Sequence, residues 1–278
     1  MAKKERLDAR LVREGLFPTR EKAQRAILAG MVKVSGQRVT KAGTPIAEDA
    51  PVEVERPAIE YVSRGALKLE RALDVFGVDP TGRRIMDVGA STGGFTDLLL
   101  QRGAVHVYAV DVGYGQLAWK LRQDPRVTVL ERTNVRHLTP EGLKAPEGEA
   151  PDMAVIDVSF ISLAKILPAV RALLTAPGDL IALIKPQFEA GKEAVGKGGV
   201  VRDPAVHARV ITDVMAAAHA EGWHAWGLTY SPIKGPEGNI EFLGYWRREP
   251  REDAAEGVDA ARVTAVVDDA HRALKAGA

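Results

Sequence analysis

The 278-residue chain contains no cysteine, which excludes disulfides and thiolate metal sites. Its six histidines show no metal-ligand spacing such as H-E-x-x-H, so no catalytic metal is expected. No run approaches the roughly 18 apolar residues of a membrane helix; the longest, "DLIALI", has the length of a strand. The first residues, "MAKKERLDARLVREG", are charged and lack the apolar core of a signal peptide. These absences predict a soluble, cytoplasmic, monomeric protein with no membrane partner. A hydrophobic fraction of 46% and a charged fraction of 27% are ordinary for a globular protein of this size, with room for one large domain and a smaller one.

Net charge is only +1, but it is spread unevenly. Residues 1–41 carry eleven Lys or Arg against four acids, a local balance of +7 that suggests an anionic partner. "RLDARLVREG" reads as a short helix stopped by Gly15, with Arg6, Arg10 and Arg13 sharing a face. "PTREKAQRAILAG" reads as a second helix, capped by Thr19, burying Ala23 and Ile27 and ending at Gly30. Short β-like pieces follow, "MVKVSG", "QRVTKAG" and "PVEVE", divided by Gly and Pro turns. Two basic helices on a small sheet make an electrostatic platform for a phosphate backbone. No aromatic cluster here could stack single-stranded bases, so folded RNA fits better.

These segments, "RLDARLV", "TREKAQRAILAGMVKVSGQRV" and "PVEV", resemble the S-four RNA-binding domain over about residues 5–56. The resemblance makes Arg6, Arg10, Arg20, Lys22, Arg25 and Lys41 candidates for RNA contact. The boundaries read as an RNA-binding domain over 1–58, a linker at 59–62 within the joint "ERPAIEYVSRGA", a large domain over 63–248, and an acidic linker with a C-terminal helix over 249–278.

In the large domain Ser63 is placed to cap a first helix with a Leu69, Leu73 and Phe76 stripe and Lys68 on another face. Apolar strands then alternate with helices expected at 94–102, 115–122, 162–174 and 204–221. Two closing strands are expected near 224–230 and 240–247. Repeated β-α-β predicts an α/β doubly wound parallel sheet, and the closing pair predicts an antiparallel edge hairpin.

The stretch "DVGASTGGFTDLLL" runs from an apolar strand into a helix. It has no Gly-Lys-Ser/Thr, so it is not a P-loop, and Ser91 stands where a dinucleotide turn needs glycine. What remains is a tight turn after Asp87 with backbone N–H groups at a helix N-terminus, which suits a carboxylate and an adenosine. Asp111 ends the next strand, where an acid can bridge ribose hydroxyls, and Asn134 in "ERTNVRHL" could meet an adenine edge. Asp97 reads as an ordinary polar position. Together these motifs resemble the S-adenosylmethionine pockets of Rossmann-like methyltransferases. The resemblance assigns Asp87, Gly89, Ala90, Ser91, Thr92, Gly93, Asp111, Asn134 and Asp157 to cofactor binding.

Four polar residues stand out where strands end or apolar side chains are expected: Lys68, Asp157, Lys185 and Glu241. In an open α/β sheet ligands bind at the carboxyl ends of the strands. The set resembles the Lys-Asp-Lys-Glu tetrad of FtsJ-like ribose 2′-O-methyltransferases. With "SRGALKL", "VIDVSFISL", "IKPQFE" and "SPIKGPEGNIEF", the chain resembles the TlyA (hemolysin-A-type) family from about residue 5 to 246. That family implies S-adenosylmethionine-dependent 2′-O-methylation of ribosomal RNA at cytidine. Lys185 is then the activating group, as neutral base or as a cation stabilising the alkoxide, with Lys68 and Glu241 orienting it and Asp157 between cofactor and acceptor. Arg64, Arg136 and the Gly-rich stretch with Lys192 and Lys197 are further candidates for RNA contact on the rim. The intact cofactor loop and tetrad disfavour an inactive RNA-binding assembly factor, and the lack of an apolar span disfavours a membrane-lytic hemolysin.

Overall fold

The computed structural model describes residues 4–17, 19–54, 60–176, 178–250 and 258–275. It divides into two compact units, 1–60 and 61–278. The joint sequence at 55–59 and the acidic segment at 251–257 lie outside the described residues.

In the first unit, β1 (Lys4–Arg6) leads into α1 (Leu7–Arg13), and α2 (Arg20–Leu28) follows. Thr19 accepts a hydrogen bond from the Lys22 N–H at 3.3 Å and so caps α2. Then come β2 (Val32–Val34), β3 (Gln37–Arg38), β4 (Pro45–Ala47) and β5 (Val52–Val54). β1 pairs with β4, and a second small sheet has the order β3-β2-β5. The helices bury Leu7, Leu11, Ala23 and Ile27 against Val32 and Ile46.

The second unit begins with α3 (Ala66–Phe76), β6 (Arg84–Val88), α4 (Gly94–Gln101) and β7 (His106–Val110). It continues with α5 (Trp119–Arg122), β8 (Val127–Leu130), β9 (Met153–Ile156), α6 (Leu167–Leu173) and β10 (Asp179–Ile184). α7 (Pro186–Glu189), α8 (Pro204–Ala220), β11 (His224–Tyr230), β12 (Phe242–Arg247) and α9 (Ala260–Lys275) complete it. Seven strands form one sheet in the order β11-β12-β10-β9-β6-β7-β8. β6 to β10 pair parallel, while β12 runs antiparallel between β10 and β11. The expected edge hairpin is present, with its second strand inserted inside the first.

Side-chain alternation builds the two faces. Met86, Val88, Ala154, Ile156, Leu180 and Ala182 join the core beneath α6, α8 and α9. Their neighbours Ile85, Met153, Val155, Ile181 and Leu183 join the core beneath α3, α4 and α5. Because β6 pairs with β7 on one side and β9 on the other, the strand order reverses between β6 and β9. That reversal opens a crevice at the carboxyl ends of these strands, the place where such sheets bind ligands.

Three local expectations are corrected. The helix expected at 115–122 forms only from Trp119, since Gly115 takes a left-handed backbone and the Ala118 N–H bonds the Thr92 carbonyl at 3.1 Å. The helix expected at 162–174 splits into a 3-10 turn over Leu163–Lys165 and α6, whose first turn holds Pro168. Gly65, not Ser63, is the N-cap of α3, and no side chain caps that helix.

Candidate active site

The glycine-rich turn leaves β6 at Gly89, whose N–H bonds the Val110 carbonyl at 2.8 Å. Its φ of +85° is a left-handed conformation. A Cβ there would stand 2.8 Å from the Asp157 carbonyl carbon and closer still to its oxygen. Glycine therefore lets the ends of β6 and β9 touch at the crevice. Gly93 is the N-cap of α4, and Ser91 and Thr92 are exposed between the two glycines. Asp111, just past β7, ties this turn to the next loop: its carboxylate accepts from the Ser91 N–H and the Gly113 N–H, both at 2.7 Å. Ala90, Ser91, Asp111 and Gly113 share a shallow cleft with Ala109, Leu117 and Val129.

Gln116 and Glu131 line the same cleft and were missed by sequence reasoning. Glu131 directly follows β8, and its carboxylate accepts from the Gly115 N–H at 2.9 Å and from Arg122. The rule that singled out Asp111, an acid at a strand's carboxyl end, applies to Glu131 equally. Asn134, the expected adenine reader, instead spends its side-chain oxygen on the Arg136 N–H as cap of a 3-10 turn, and it does not line the cleft.

Asp87 also departs from expectation. It is completely buried under the turn and accepts a 2.7 Å bond from the Thr96 hydroxyl, so it does not reach the cleft. Burial pushes its carboxyl up to about 7, with the Asp157 and Asp111 charges adding to the effect. The folded protein thus holds a proton that the unfolded chain releases above its ordinary carboxylate range. Stability from this group is full below about pH 4 and is lost as pH rises to about 7. Asp87→Asn is expected to remove a fall on the order of 2 kcal/mol between pH 5 and pH 8. Thermal denaturation of both proteins at these pH values checks it, and equal falls would refute the assignment.

The four tetrad residues are gathered as two ion pairs at one end of the sheet. Lys68, on α3, is 7% exposed and its Nζ lies 2.6 Å from Glu241 Oε2. Lys185, directly after β10, is 9% exposed and its Nζ lies 2.6 Å from Asp157 Oδ1. Asp157 directly follows β9, the parallel neighbour of β10, while Glu241 directly precedes β12 on the other side of β10. Gln187 joins the pairs, donating from Nε2 to Glu241 Oε1 at 3.5 Å, and Lys185 also donates to the Ser159 hydroxyl at 3.1 Å. Beside them stands Phe160, 89% exposed, with a left-handed backbone (φ +65°) and its ring centroid 4.9 Å from that of Phe188. A strained, exposed aromatic next to buried charges is a candidate site feature that sequence reasoning did not find.

Asp97 is a further correction: it is buried and accepts from the Val62 N–H at 2.8 Å while pairing with Lys120 at 3.0 Å. It thereby fastens the start of the second unit to α4 and α5.

The basic residues of the first unit are less available than their number suggests. Arg10 is buried, bonding Glu14 at 2.7 Å and the Ala47 carbonyl at 2.8 Å, so it holds α1 to β4 and does not face a partner. Arg6 and Arg20 both pair with the buried Asp8, at 2.9 and 3.3 Å. The Arg6 hydrogen bond, with help from Gln24 and Arg20, holds that carboxyl well below its usual range. Arg25 pairs with Glu21 at 2.6 Å. Lys22 and Lys41 are exposed, as are Arg64, Arg136, Lys192 and Lys197 in the second unit.

A doubly wound sheet with a glycine turn, a strand-end carboxylate and a buried Lys–carboxylate pair on either side of one strand defines a Rossmann-like methyltransferase. The model of the FtsJ-like methyltransferase family matches residues 61–248, and that of the S4 domain matches residues 5–52. The chain belongs to the FtsJ-like methyltransferases, in the TlyA (hemolysin-A-type) group that carries an S4 domain in front. It is 47% identical over 279 residues to the 16S/23S rRNA (cytidine-2′-O)-methyltransferase TlyA of Mycobacterium tuberculosis, covering 100% of both chains. Hemolysin A of Brachyspira hyodysenteriae is 42% identical over 241 residues, which cover 87% of this chain and 99% of that one. A hemolysin-named structure from Streptococcus thermophilus superposes with a TM-score of 0.74 at 45% identity, covering 99% of this chain and 98% of the other.

The cofactor of this family is S-adenosylmethionine, and the residues present fit it. A cleft with apolar walls from Ala109, Leu117 and Val129 and carboxylates from Asp111 and Glu131 complements an adenosine. A Cβ at Gly113 would stand 2.8 Å from Gln116 Nε2 and 3.0 Å from Asp111 Oδ1, so glycine lets these two side chains close over the backbone there. Among the described residues no helix is long and apolar enough to cross a membrane, and no group of three or more His, Asp or Glu is placed to hold a metal.

Proposed function

We propose that the protein methylates the ribose 2′-hydroxyl of a cytidine in ribosomal RNA. One observation carries the chemistry: two Lys–carboxylate pairs converge at the strand ends, on the sheet edge that also carries the Asp111 cleft. The choice of ribosomal RNA and of cytidine follows the full-length likeness to an enzyme named for that activity.

S-adenosylmethionine, when bound, supplies an electrophilic methyl group. Asp111 and Glu131 would hold its ribose, and the exposed Ser91 and Thr92 of the turn would border its amino-acid end. The chain's own task is to present the acceptor oxygen in line and to support the charge that builds on it. The Lys185 ammonium ion-pairs with Asp157 and donates to the Ser159 hydroxyl, and a remaining N–H would support the 2′-oxygen while its proton passes to water and the methyl leaves the sulfonium as a neutral thioether forms. Glu241, bonded by Lys68 and Gln187, orients the ribose from the other side of β10. The exposed ring of Phe160, backed by the tilted ring of Phe188, offers a face on which the base of the target nucleotide stacks. The S4 domain supplies sequence-independent grip through its exposed cations, Lys22 and Lys41 among them. One copy carries both modules, so a monomer acting on ribosomes in the cytoplasm suffices.

Purified protein with labelled S-adenosylmethionine is expected to move methyl to ribosomal subunits or their RNA, and nuclease digestion should then yield 2′-O-methylcytidine. Label on a base, or none on RNA, would refute the proposal. Thermal stabilisation by S-adenosylmethionine without any transfer would favour an inactive assembly factor.

A further inference from the structure

The Gly-rich segment after α7, which carries two of the expected RNA contacts, is fastened at its base. Asn239 is fully buried, and both ends of its amide are used. Its Oδ1 accepts from the Val201 N–H at 3.0 Å, and its Nδ2 donates to the Gly199 carbonyl at 2.9 Å. The Val201 carbonyl is held from the opposite side by His207 Nε2 at 3.1 Å. A carbonyl only accepts, so His207 carries its proton on Nε2, and Nδ1 accepts from His271 Nε2 of α9 at 2.9 Å. Burial lowers His207 to about 4, so the neutral ring keeps these roles at working pH.

Within the segment, the Gly196 N–H bonds the Val200 carbonyl and the Gly199 N–H bonds the Gly196 carbonyl, each at 3.1 Å. Gly198 and Gly199 both adopt left-handed backbones, which closes the turn tightly. Val200 and Val201 are buried, whereas Lys192, Lys197 and Arg202 are exposed. Asn239 stands only two residues before Glu241, so the turn is bonded to the same short stretch that delivers a tetrad carboxylate. A fixed turn carrying cations beside buried reactive groups is a preformed contact for a phosphate, with its ordering cost already met in the free protein.

We propose that Asn239 is a positioning residue that fixes the turn at 196–202 as a rigid ledge, presenting Lys197 to a backbone phosphate next to the nucleotide being methylated. The inference rests on RNA being the substrate.

The test uses the full chain with Asn239→Ala, Lys197→Ala and the double variant. Hydrogen exchange of the Val201 amide should speed up by at least about tenfold in Asn239→Ala, since its acceptor is gone. KM for RNA should rise about fivefold in either single variant, with kcat and S-adenosylmethionine affinity within about twofold, and the salt slope of RNA binding should fall by about one. The double variant should be no worse than the singles, because both remove the same contact. Asn239→Asp keeps the acceptor for Val201 but sets a lone pair against the Gly199 carbonyl, and it should give an intermediate KM. Faster exchange with an unchanged KM, or singles whose effects multiply, would overturn the proposal and leave Asn239 a purely structural residue. An inactive wild-type enzyme would instead count against the proposed function, while the exchange result would still report on the ledge.

Discussion

Lys185→Ala is expected to lower kcat for methyl transfer by roughly 10³-fold, the scale of losing one charge-stabilising donor at a reacting oxygen. S-adenosylmethionine affinity should stay within a few-fold, because Lys185 bonds Asp157 and Ser159 and does not line the cleft that Asp111 and Gly113 close. Lys185→Arg should keep a measurable fraction of turnover if charge is what the oxygen requires, and almost none if the amine must take the proton. Single-turnover transfer with labelled cofactor, beside calorimetric binding, separates these outcomes. Normal turnover in Lys185→Ala would remove Lys185 from the mechanism.

The second large effect is expected at Gly89. An alanine would need a left-handed backbone and would press its Cβ into the Asp157 carbonyl, which is backbone and cannot swing aside. The combined strain is expected to cost on the order of 3 kcal/mol, lowering Tm by about 10 °C. S-adenosylmethionine binding should weaken at least tenfold, since the turn that faces it must shift. Gly77 gives the control: it is also left-handed, but a Cβ there meets nothing within 4 Å, so Gly77→Ala should cost only about 1 kcal/mol. Equal costs at the two positions would show that the close approach of β6 and β9 is unimportant. Scanning calorimetry with and without cofactor decides this.

Much of the second unit was legible because its signals are local. Strands such as "DLIALI" are apolar at every position after the first, as a sheet covered on both faces requires, and glycines punctuate their ends. The sheet reversal, and with it the crevice, follows from strand order alone. The partners of the charged residues were not legible in the same way. Nothing near Lys68 in sequence indicates that its carboxylate arrives 173 positions later, and a helix-face argument gives only the direction in which Lys68 leaves α3. Arg10 was taken as an outward cation because charge says nothing about what lies opposite; the Ala47 carbonyl, 37 positions away, draws it inward. Asp97 was passed over for the converse reason, since its partners are a backbone N–H and a lysine supplied by other elements. Phe160 lay in a stretch that reads as a strand end, and only the folded backbone shows that it projects into solvent.

The position of β12 fixes the order in which a chain leaving the ribosome can become active. The turn at 89–93, Asp111, Asp157 and Lys185 are all synthesised before Glu241, yet Lys68 has its carboxylate partner only once β12 slides between β10 and β11. Until Glu241 has emerged, the sheet has an open edge at β10 and Lys68 lacks its partner. A product that terminates before residue 241 therefore retains the S4 domain without the second ion pair.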